Sequence, residues 1–188
     1  MLDPRVWLRR LPAAALAAVC LAGPPVLAQS TLEPTPQSGG GFGFQPGAPN
    51  TTALWRPGDP GERLHLRVRV LGTSGRAVPG ALVRIRQTDG TGEYQPDRYQ
   101  ATVEASEGGR FQLSTVLPGQ YYGAKHIHVI VTHPRYERLV TQVLFKGDPY
   151  IDEAEVGDLA IALEKVQSDG ETVLVGGVDF VLRPLGAN

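Results

Sequence analysis

Residues 126–132 read His126-Ile-His-Val-Ile-Val-Thr132, a run whose β-branched residues are typical of a buried strand. Alternate side chains of a strand point to one face, so His126 and His128 project the same way. Two imidazoles placed like this can bind one metal ion with little loss of side-chain entropy. Directly upstream, Pro118-Gly-Gln-Tyr-Tyr122 predicts a turn that aims a phenol back toward the histidines. The stretch 118–128 therefore predicts half of a metal site.

Strand-like stretches lie on both sides of this run, separated by turns rich in glycine and proline. In Leu64-His-Leu-Arg-Val-Arg-Val70, apolar and polar residues alternate, as in a half-buried strand. The segment 155–166 fits either a short helix or a strand. Short strands without amphipathic helices predict an all-β fold over residues 61–188, a β-sandwich with mixed or antiparallel sheets, short loops and little helix. The predicted strands are 64–70, 81–86, 110–116, 126–132, 138–145, 172–175 and 178–183.

The length and charge of the chain limit its class. Its 188 residues are enough for one domain with a hydrophobic core. The formal net charge is −1, and no stretch of the sequence forms a basic patch. Proteins that bind nucleic acid carry such a patch to match the phosphate charge. We therefore expect no nucleic-acid partner.

The first 28 residues have the pattern of a signal peptide. Three arginines give a positive start, residues 11–22 form an apolar run, and Val26-Leu-Ala28 supplies small residues for cleavage. The run is too short for a membrane span, which takes about 20 apolar residues. We expect an exported protein, periplasmic or secreted, by the general or the twin-arginine route. Cys20 leaves with the signal peptide, so the mature chain is predicted to have no disulfide.

Residues 29–60 differ in composition from the rest of the chain. They are rich in Gly, Pro, Ser and Gln, and include Gly39-Gly-Gly-Phe-Gly-Phe44. Such a stretch cannot bury enough apolar surface to offset the entropy lost on ordering. It is predicted to be a flexible arm or linker, although Phe42, Phe44 and Trp55 could pack on the domain or on a partner.

Five residues are candidates for chemistry on the basis of residue type: Tyr94, Tyr121, Tyr122, His126 and His128. Imidazole binds zinc, copper, iron or nickel, and the mature chain has no thiolate to complete a zinc site. No carboxylate stands beside the histidines, which disfavours a ferrous site of two histidines and one carboxylate. Phenolate is a hard, anionic donor that suits a trivalent ion such as Fe(3+). The alternative is that these are ordinary polar residues on a strand surface.

Several motifs resemble, in order and spacing, those of the intradiol ring-cleavage dioxygenases, and most closely the small exported members with a single domain. The motifs are Val78-Pro-Gly-Ala-Leu-Val83, Gly90-Thr-Gly-Glu-Tyr94, Pro118-Gly-Gln-Tyr121, His126-Ile-His128 and Thr141-Gln-Val-Leu-Phe145. The resemblance covers roughly residues 61–148. It implies a non-haem enzyme that cleaves catechol-type rings with O2 to muconic-acid products. It also implies that four residues are the Fe(3+) ligands: Tyr94, Tyr121, His126 and His128.

The resemblance also implies roles around the metal. Tyr121 would leave the iron when the catechol binds and accept one of its protons, with the adjacent Tyr122 as the rival for that role. Gln142 matches a glutamine near the substrate and O2. The family carries an arginine shortly before the histidines, where this chain has Gly123-Ala-Lys125, so Lys125 is a candidate substitute. Arg86 replaces a tryptophan of the family, and it either supplies the positive charge or is a solvated surface residue.

Two other readings stay open. Residues 64–86 also resemble transthyretin-like and carboxypeptidase-regulatory-type domains, which would make the protein a non-catalytic β-sandwich binding module. A third possibility is a protein that binds iron but has lost turnover together with the arginine. The remaining histidines, His65 and His133, are predicted not to bind metal, because His65 lies among arginines and His133 has the opposite strand parity.

Overall fold

Two β-sheets packed face to face make up the structure, a computed structural model that describes residues 31–38, 43–44, 46–168 and 170–186. One sheet has the strand order β4-β1-β9-β8 and the other has the order β3-β2-β5-β6-β7. The strands are β1 Arg63–Gly72, β2 Leu82–Arg86, β3 Gln100–Glu104, β4 Arg110–Val116, β5 His126–His133, β6 Tyr136–Phe145, β7 Ala160–Ile161, β8 Glu164–Ser168 and β9 Glu171–Leu182.

Both sheets are mixed. The pairs β1–β9 and β6–β7 are parallel, and the other neighbours are antiparallel. Helical structure in the described residues is limited to one turn of α-helix, α1 Glu153–Val156, and the 3-10 turn Gly157–Leu159 that follows it. The all-β sandwich predicted from the sequence is therefore confirmed.

The core lies between the sheets and follows from the alternation of the strands. In β1 the side chains of Leu64, Leu66, Val68 and Val70 are buried, while the arginines between them face outward. The inner faces of β2, β5 and β6 supply the opposite wall in the same way. Burying one face of each sheet against the other is what stabilises a sandwich. The side chains on the outer face of the five-stranded sheet take no part in this core.

The strand pattern differs from the prediction at the edges of the sheets. β3 is a short edge strand that the sequence did not single out, and the segment 155–166 contains helix, 3-10 turn and strand in succession. Residues 172–183 were predicted as two strands interrupted by Gly176-Gly177, but β9 runs through both glycines. A Cβ at Gly176 would lie 2.8 Å from Leu163 Cδ2. The glycine there marks a close side-chain approach and not a break.

The described part of the predicted arm is attached to the sandwich. The Thr35 amide donates to Val181 O of β9, at 3.0 Å, and the Ser38 amide donates to Val140 O of β6, also at 3.0 Å. Farther along, the Thr102 amide of β3 donates to Pro49 O. The prediction of flexibility considered only buried apolar surface. Here backbone hydrogen bonds hold the segment, and it spans the edge between the two sheets.

The predicted signal peptide, residues 1–28, lies outside the described residues, as does most of the Gly39–Phe44 motif. Phe44 is described, and its ring lies 5.1 Å from Arg84 Cζ on the outer face of β2. Among the described residues, no helix has the length and apolar character needed to cross a membrane.

Candidate metal centre

The two histidines of β5 face each other on the outer side of the five-stranded sheet. Nε2 of His126 lies 3.1 Å from Nε2 of His128. Nδ1 of His126 lies 2.7 Å from the Ala124 carbonyl oxygen. A carbonyl only accepts, so Nδ1 carries the proton and donates it, and Nε2 of His126 keeps a lone pair. Both imidazoles thus present Nε2 to the same point, as a shared metal ion requires.

His128 is held in its neutral form. Burial, the neighbouring His126 and the positive charge of Arg86 lower the pKa of His128 to about 4. The neutral imidazole is the form that binds metal. At neutral pH this residue therefore needs no deprotonation before it can act as a ligand.

Two tyrosines lie beside the histidine pair. The ring centroids of Tyr94 and Tyr121 are 5.0 Å apart in an edge-to-face arrangement, and those of Tyr94 and His128 are 6.5 Å apart. Burial raises the pKa of Tyr94, the charge of Arg86 acts to lower it, and Tyr121 raises it, with a net increase. The Tyr94 phenol therefore stays protonated without a metal, and only a strong Lewis acid would convert it to the phenolate.

The adjacent Tyr121 and Tyr122 occupy different environments. Tyr121 is 39% exposed and its ring packs on Tyr94, whereas Tyr122 is 94% exposed. The Tyr122 backbone has φ 46°, in the left-handed region, and its ring contacts that of Tyr121 at 4.6 Å. Of the two, Tyr121 is the phenol that the fold brings toward Tyr94.

Close backbone packing sets the position of both tyrosines. Tyr94 lies in the loop between β2 and β3, and Tyr121 lies in the loop between β4 and β5. The two loops cross at Gly92 and Gly119, where a Cβ on Gly119 would lie 2.1 Å from the Gly92 nitrogen. A Cβ on Gly92 would lie 2.2 Å from Gln120 O. Glycine at both positions is therefore a steric requirement of the crossing.

A buried polar network fixes the same two loops. The Asp89 carboxylate accepts hydrogen bonds from the Thr91 amide and hydroxyl, at 2.8 and 2.7 Å, and from Gln95 Nε2, at 3.0 Å. The backbone oxygen of Asp89 accepts from the Gly119 amide at 2.7 Å. Burial by itself would raise the pKa of Asp89, but the hydrogen bonds lower it overall. The network ties the Tyr94 loop to the Tyr121 loop.

Gln87 extends this network into the core. It is fully buried, its Nε2 donates to Val116 O at 2.9 Å, and its Oε1 accepts from the Thr115 hydroxyl at 3.1 Å. Sequence reasoning missed the structural role of Gln87 and Asp89. The available signal was the polar triplet Gln87-Thr-Asp89 directly after a strand, since buried polar residues require partners.

Arg86 and Gln142 flank His128 in the sheet register. Arg86 of β2 and Gln142 of β6 are both cross-strand partners of His128, so they share its face. The guanidinium carbon of Arg86 lies 4.9 Å from the centroid of the Tyr94 ring. Arg86 is thus placed against the tyrosine and is not a simple solvated surface residue.

Lys125 lies just before β5. Its backbone amide donates to Asp148 Oδ2 at 3.0 Å. Strand alternation gives residue 125 the opposite parity to both histidines. This position favours Arg86 over Lys125 as the source of positive charge.

The available donors fit a trivalent metal. Among the described residues, no group of three or more His, Cys, Asp or Glu side chains is placed to hold a metal ion. The phenols of Tyr94 and Tyr121 are oxygen donors that lie beside the two imidazoles. Tyr94, Tyr121, His126 and His128 would supply two anionic oxygens and two neutral nitrogens, a set suited to ferric iron.

A separate cleft of about 1390 Å³ contains none of these residues. It lies along the four-stranded sheet and is lined by residues including Arg67, Arg110 and Gly177, and by the segment Thr31–Pro36. The convergence of tyrosines and histidines is on the other sheet. The size of this cleft therefore carries no weight in locating the chemistry.

Comparison with known proteins identifies relatives that are described as dioxygenases. A family model described as Dioxygenase matches residues 44–184, so the match begins before the predicted domain boundary at residue 61. Chlorocatechol 1,2-dioxygenase of Rhodococcus opacus is 28% identical, over 74% of this chain and 69% of the relative. 6-Chlorohydroxyquinol 1,2-dioxygenase of Cupriavidus pinatubonensis is 30% identical, over 68% of this chain and 56% of the relative. The chain thus spans only part of each relative's length.

Solved structures show the same architecture. The dioxygenase domain of a dioxygenase carbohydrate-binding protein fusion from Streptomyces sp. SirexAA-E has a TM-score of 0.69 and 29% identity, covering 80% of this chain and 99% of that one. 3-Chlorocatechol 1,2-dioxygenase from Rhodococcus opacus 1CP has a TM-score of 0.71, covering 84% of this chain and 75% of that one. The latter is 22% identical and supports the fold alone.

Gly119→Ala tests the loop crossing. The added methyl group would overlap the Gly92 backbone, so we expect a loss of about 1–3 kcal/mol in the free energy of unfolding, measured with urea. Gly108→Ala is the matched control, because its Cβ would meet only side-chain atoms at 3.9 Å. Equal stability of the two variants would show that the crossing is not tight.

Asp89→Asn tests the buried network through its pH dependence. A lowered pKa means that the folded state favours the carboxylate, so its stabilising effect is present above about pH 4 and is lost as the pH falls through the folded-state pKa. We expect the variant to lose about 1–3 kcal/mol at pH 7, and the gap to wild type to shrink below pH 4. Asp97→Asn, at an exposed position of the same loop, is the control. A pH-independent gap would contradict this account.

Proposed function

The chain belongs to the dioxygenase family whose model matches residues 44–184, and we propose that it is a non-haem, Fe(3+)-dependent intradiol dioxygenase. In this proposal it cleaves the ring of catechol-type aromatics and incorporates both atoms of O2, giving muconic-acid products. The observation that carries the proposal is the packing of the Tyr94 ring against Tyr121, at 5.0 Å, and beside His128, at 6.5 Å, where the two imidazole Nε2 atoms lie 3.1 Å apart. The names of the relatives in both comparisons support the reaction class.

Tyr94, Tyr121, His126 and His128 are the proposed iron ligands. Iron bound there would act as a Lewis acid and as a template that orients the two catechol oxygens. The histidines would bind the metal through Nε2, and His126 is oriented by its hydrogen bond to the Ala124 carbonyl. Tyr94, whose ring centroid lies 4.9 Å from Arg86 Cζ, would supply the phenolate that stays in place.

Tyr121 is the mobile ligand in this proposal. Tyr121 is 39% exposed and belongs to a loop, whereas Tyr94 is partly buried. Tyr121 would be the residue that accepts a proton, on its phenolate oxygen, from one hydroxyl of a bound catechol. The substrate then carries negative charge, which the guanidinium of Arg86 faces from β2. Gln142, on the other side of His128, is placed to orient substrate and O2.

Iron binding and turnover can be tested together. The iron-loaded protein should show a visible tyrosinate-to-iron band, hold one iron per chain and consume O2 with catechol. Tyr94→Phe and His126→Ala each remove one ligand, and we expect the metal affinity to fall by about 100-fold or more. His133→Ala is the matched control, because His133 lies at the far end of β5 and its Nδ1 accepts from the Arg135 amide.

The outcomes separate the competing functions. Stoichiometric iron with the visible band but no O2 consumption would identify a protein that has kept its metal and lost turnover. A wild-type protein without stoichiometric iron, unchanged by either ligand substitution, would identify a non-catalytic binding module and reject the dioxygenase.

We also propose that residues 1–28 direct export, to the periplasm or out of the cell. The support is the sequence pattern of a charged start, an apolar run and Val26-Leu-Ala28. Amino-terminal sequencing of the protein recovered outside the cytoplasm should begin at Gln29. A chain that stays in the cytoplasm and retains Met1 would overturn the proposal.

A further inference from the structure

A row of polar side chains crosses the outer face of the five-stranded sheet at the level of His128. Gln100 of β3 pairs with Arg86 of β2, Arg86 pairs with His128 of β5, and His128 pairs with Gln142 of β6. Cross-strand partners share a face of the sheet. Arg86 and Gln100 therefore extend the candidate metal centre in the direction away from Gln142.

Two atoms of this row are buried without a hydrogen-bond partner in the described part of the chain: Nη1 of Arg86 and Oε1 of Gln100. Gln100 is only 7% exposed. Its Nε2 donates to the Pro96 carbonyl at 3.1 Å, and because a carbonyl only accepts, the free atom of the amide is the oxygen. A buried donor and a buried acceptor are thus left over on neighbouring residues, which is costly unless a ligand pairs with them.

We propose that Arg86 and Gln100 form a subsite for a third hydroxyl group on the substrate ring, beyond the two that chelate the iron. This inference rests on the proposed function and deepens it, because it assigns benzenetriols as the preferred substrates. A hydroxyl group accepts a hydrogen bond from Arg86 Nη1 and donates one to Gln100 Oε1. It satisfies both unpaired atoms at once.

A carboxylate, a halogen or a hydrogen at this ring position leaves at least one of the two atoms unpaired. A carboxylate accepts from Arg86, but it repels the Gln100 oxygen, which needs a donor. A halogen or a hydrogen donates nothing to Gln100. Sites that hydrogen-bond a substrate hydroxyl discriminate strongly against analogues that lack it, because their own polar groups then stay unpaired.

The subsite requires a small movement. Both atoms are out of reach of water in the ligand-free structure, so the long Arg86 side chain turns outward to admit the hydroxyl. The competing arrangement is a direct hydrogen bond from Arg86 Nη1 to Gln100 Oε1, reached by a similar turn. In that case Arg86 and Gln100 would be paired with each other beside the metal centre, and they would not select among substrates.

Anaerobic calorimetry on the iron-loaded protein decides between the two arrangements. The probes are 1,2,4-benzenetriol, catechol and 3,4-dihydroxybenzoate. We expect wild type to bind the triol about tenfold or more tightly than either of the other two. Arg86→Met and Gln100→Leu should each reduce that ratio by about tenfold. Gln112→Leu is the matched control, because Gln112 is exposed on β4 of the other sheet, and it should keep the wild-type ratio.

Each result supports or overturns the subsite. Equal affinities in wild type, or an equal loss of triol and catechol binding in the variants, would overturn it. O2 uptake is then measured with the same compounds: a binding preference without O2 uptake keeps the subsite and rejects the reaction. If Gln100→Leu does not fold, as judged by circular dichroism, Gln100→Met takes its place because it keeps the side-chain length.

Discussion

The contact between the backbones of Gly92 and Gly119 is the constraint on which the candidate centre depends. The two tyrosines come from loops that are distant in sequence, and a side chain at either glycine would push those loops apart. The Asp89 network holds the same crossing through hydrogen bonds to both loops. The histidines, by contrast, need only strand alternation to face one another. The phenols are therefore the part of the site that tertiary structure has to organise.

The same packing determines the protonation states of His128 and Tyr94. In the metal-free protein the pKa of His128 is lowered and that of Tyr94 is raised, so both are neutral near pH 7. Arg86 is the cation that lies against them, with its guanidinium beside the Tyr94 ring. In the proposed centre, two phenolates would offset two of the three positive charges of the ferric ion. In the proposed Fe(3+) centre, binding of the metal would therefore be accompanied by loss of the phenol protons.

The sequence predicted the sandwich, most of its strands and the convergence of Tyr94 and Tyr121 near the histidine pair. The strands follow from local alternation, whereas the approach of the two tyrosines to the histidines was expected from the resemblance of several motifs to one family. The edge strand β3, the continuous β9 and the attached segment at Thr35 and Ser38 were not predicted. They depend on partners more than a hundred residues away or on backbone hydrogen bonds, which leave no periodic signal. The role of Arg86 could not be decided from the sequence, because only the strand register shows that it neighbours His128.

The parallel pairing of β1 with β9 joins nearly the two ends of the domain. Leu64 lies opposite Leu174, and β1 occupies the middle of its sheet between β4 and β9. Native contacts of such long sequence separation make folding slow, and this sheet cannot close until the last strand has been synthesised. A nascent chain of this fold would therefore stay unfolded for longer than a chain built from local hairpins. Under the proposed export by the general route, in which the chain crosses the membrane unfolded, that delay would give the translocation machinery time to act before the sandwich forms.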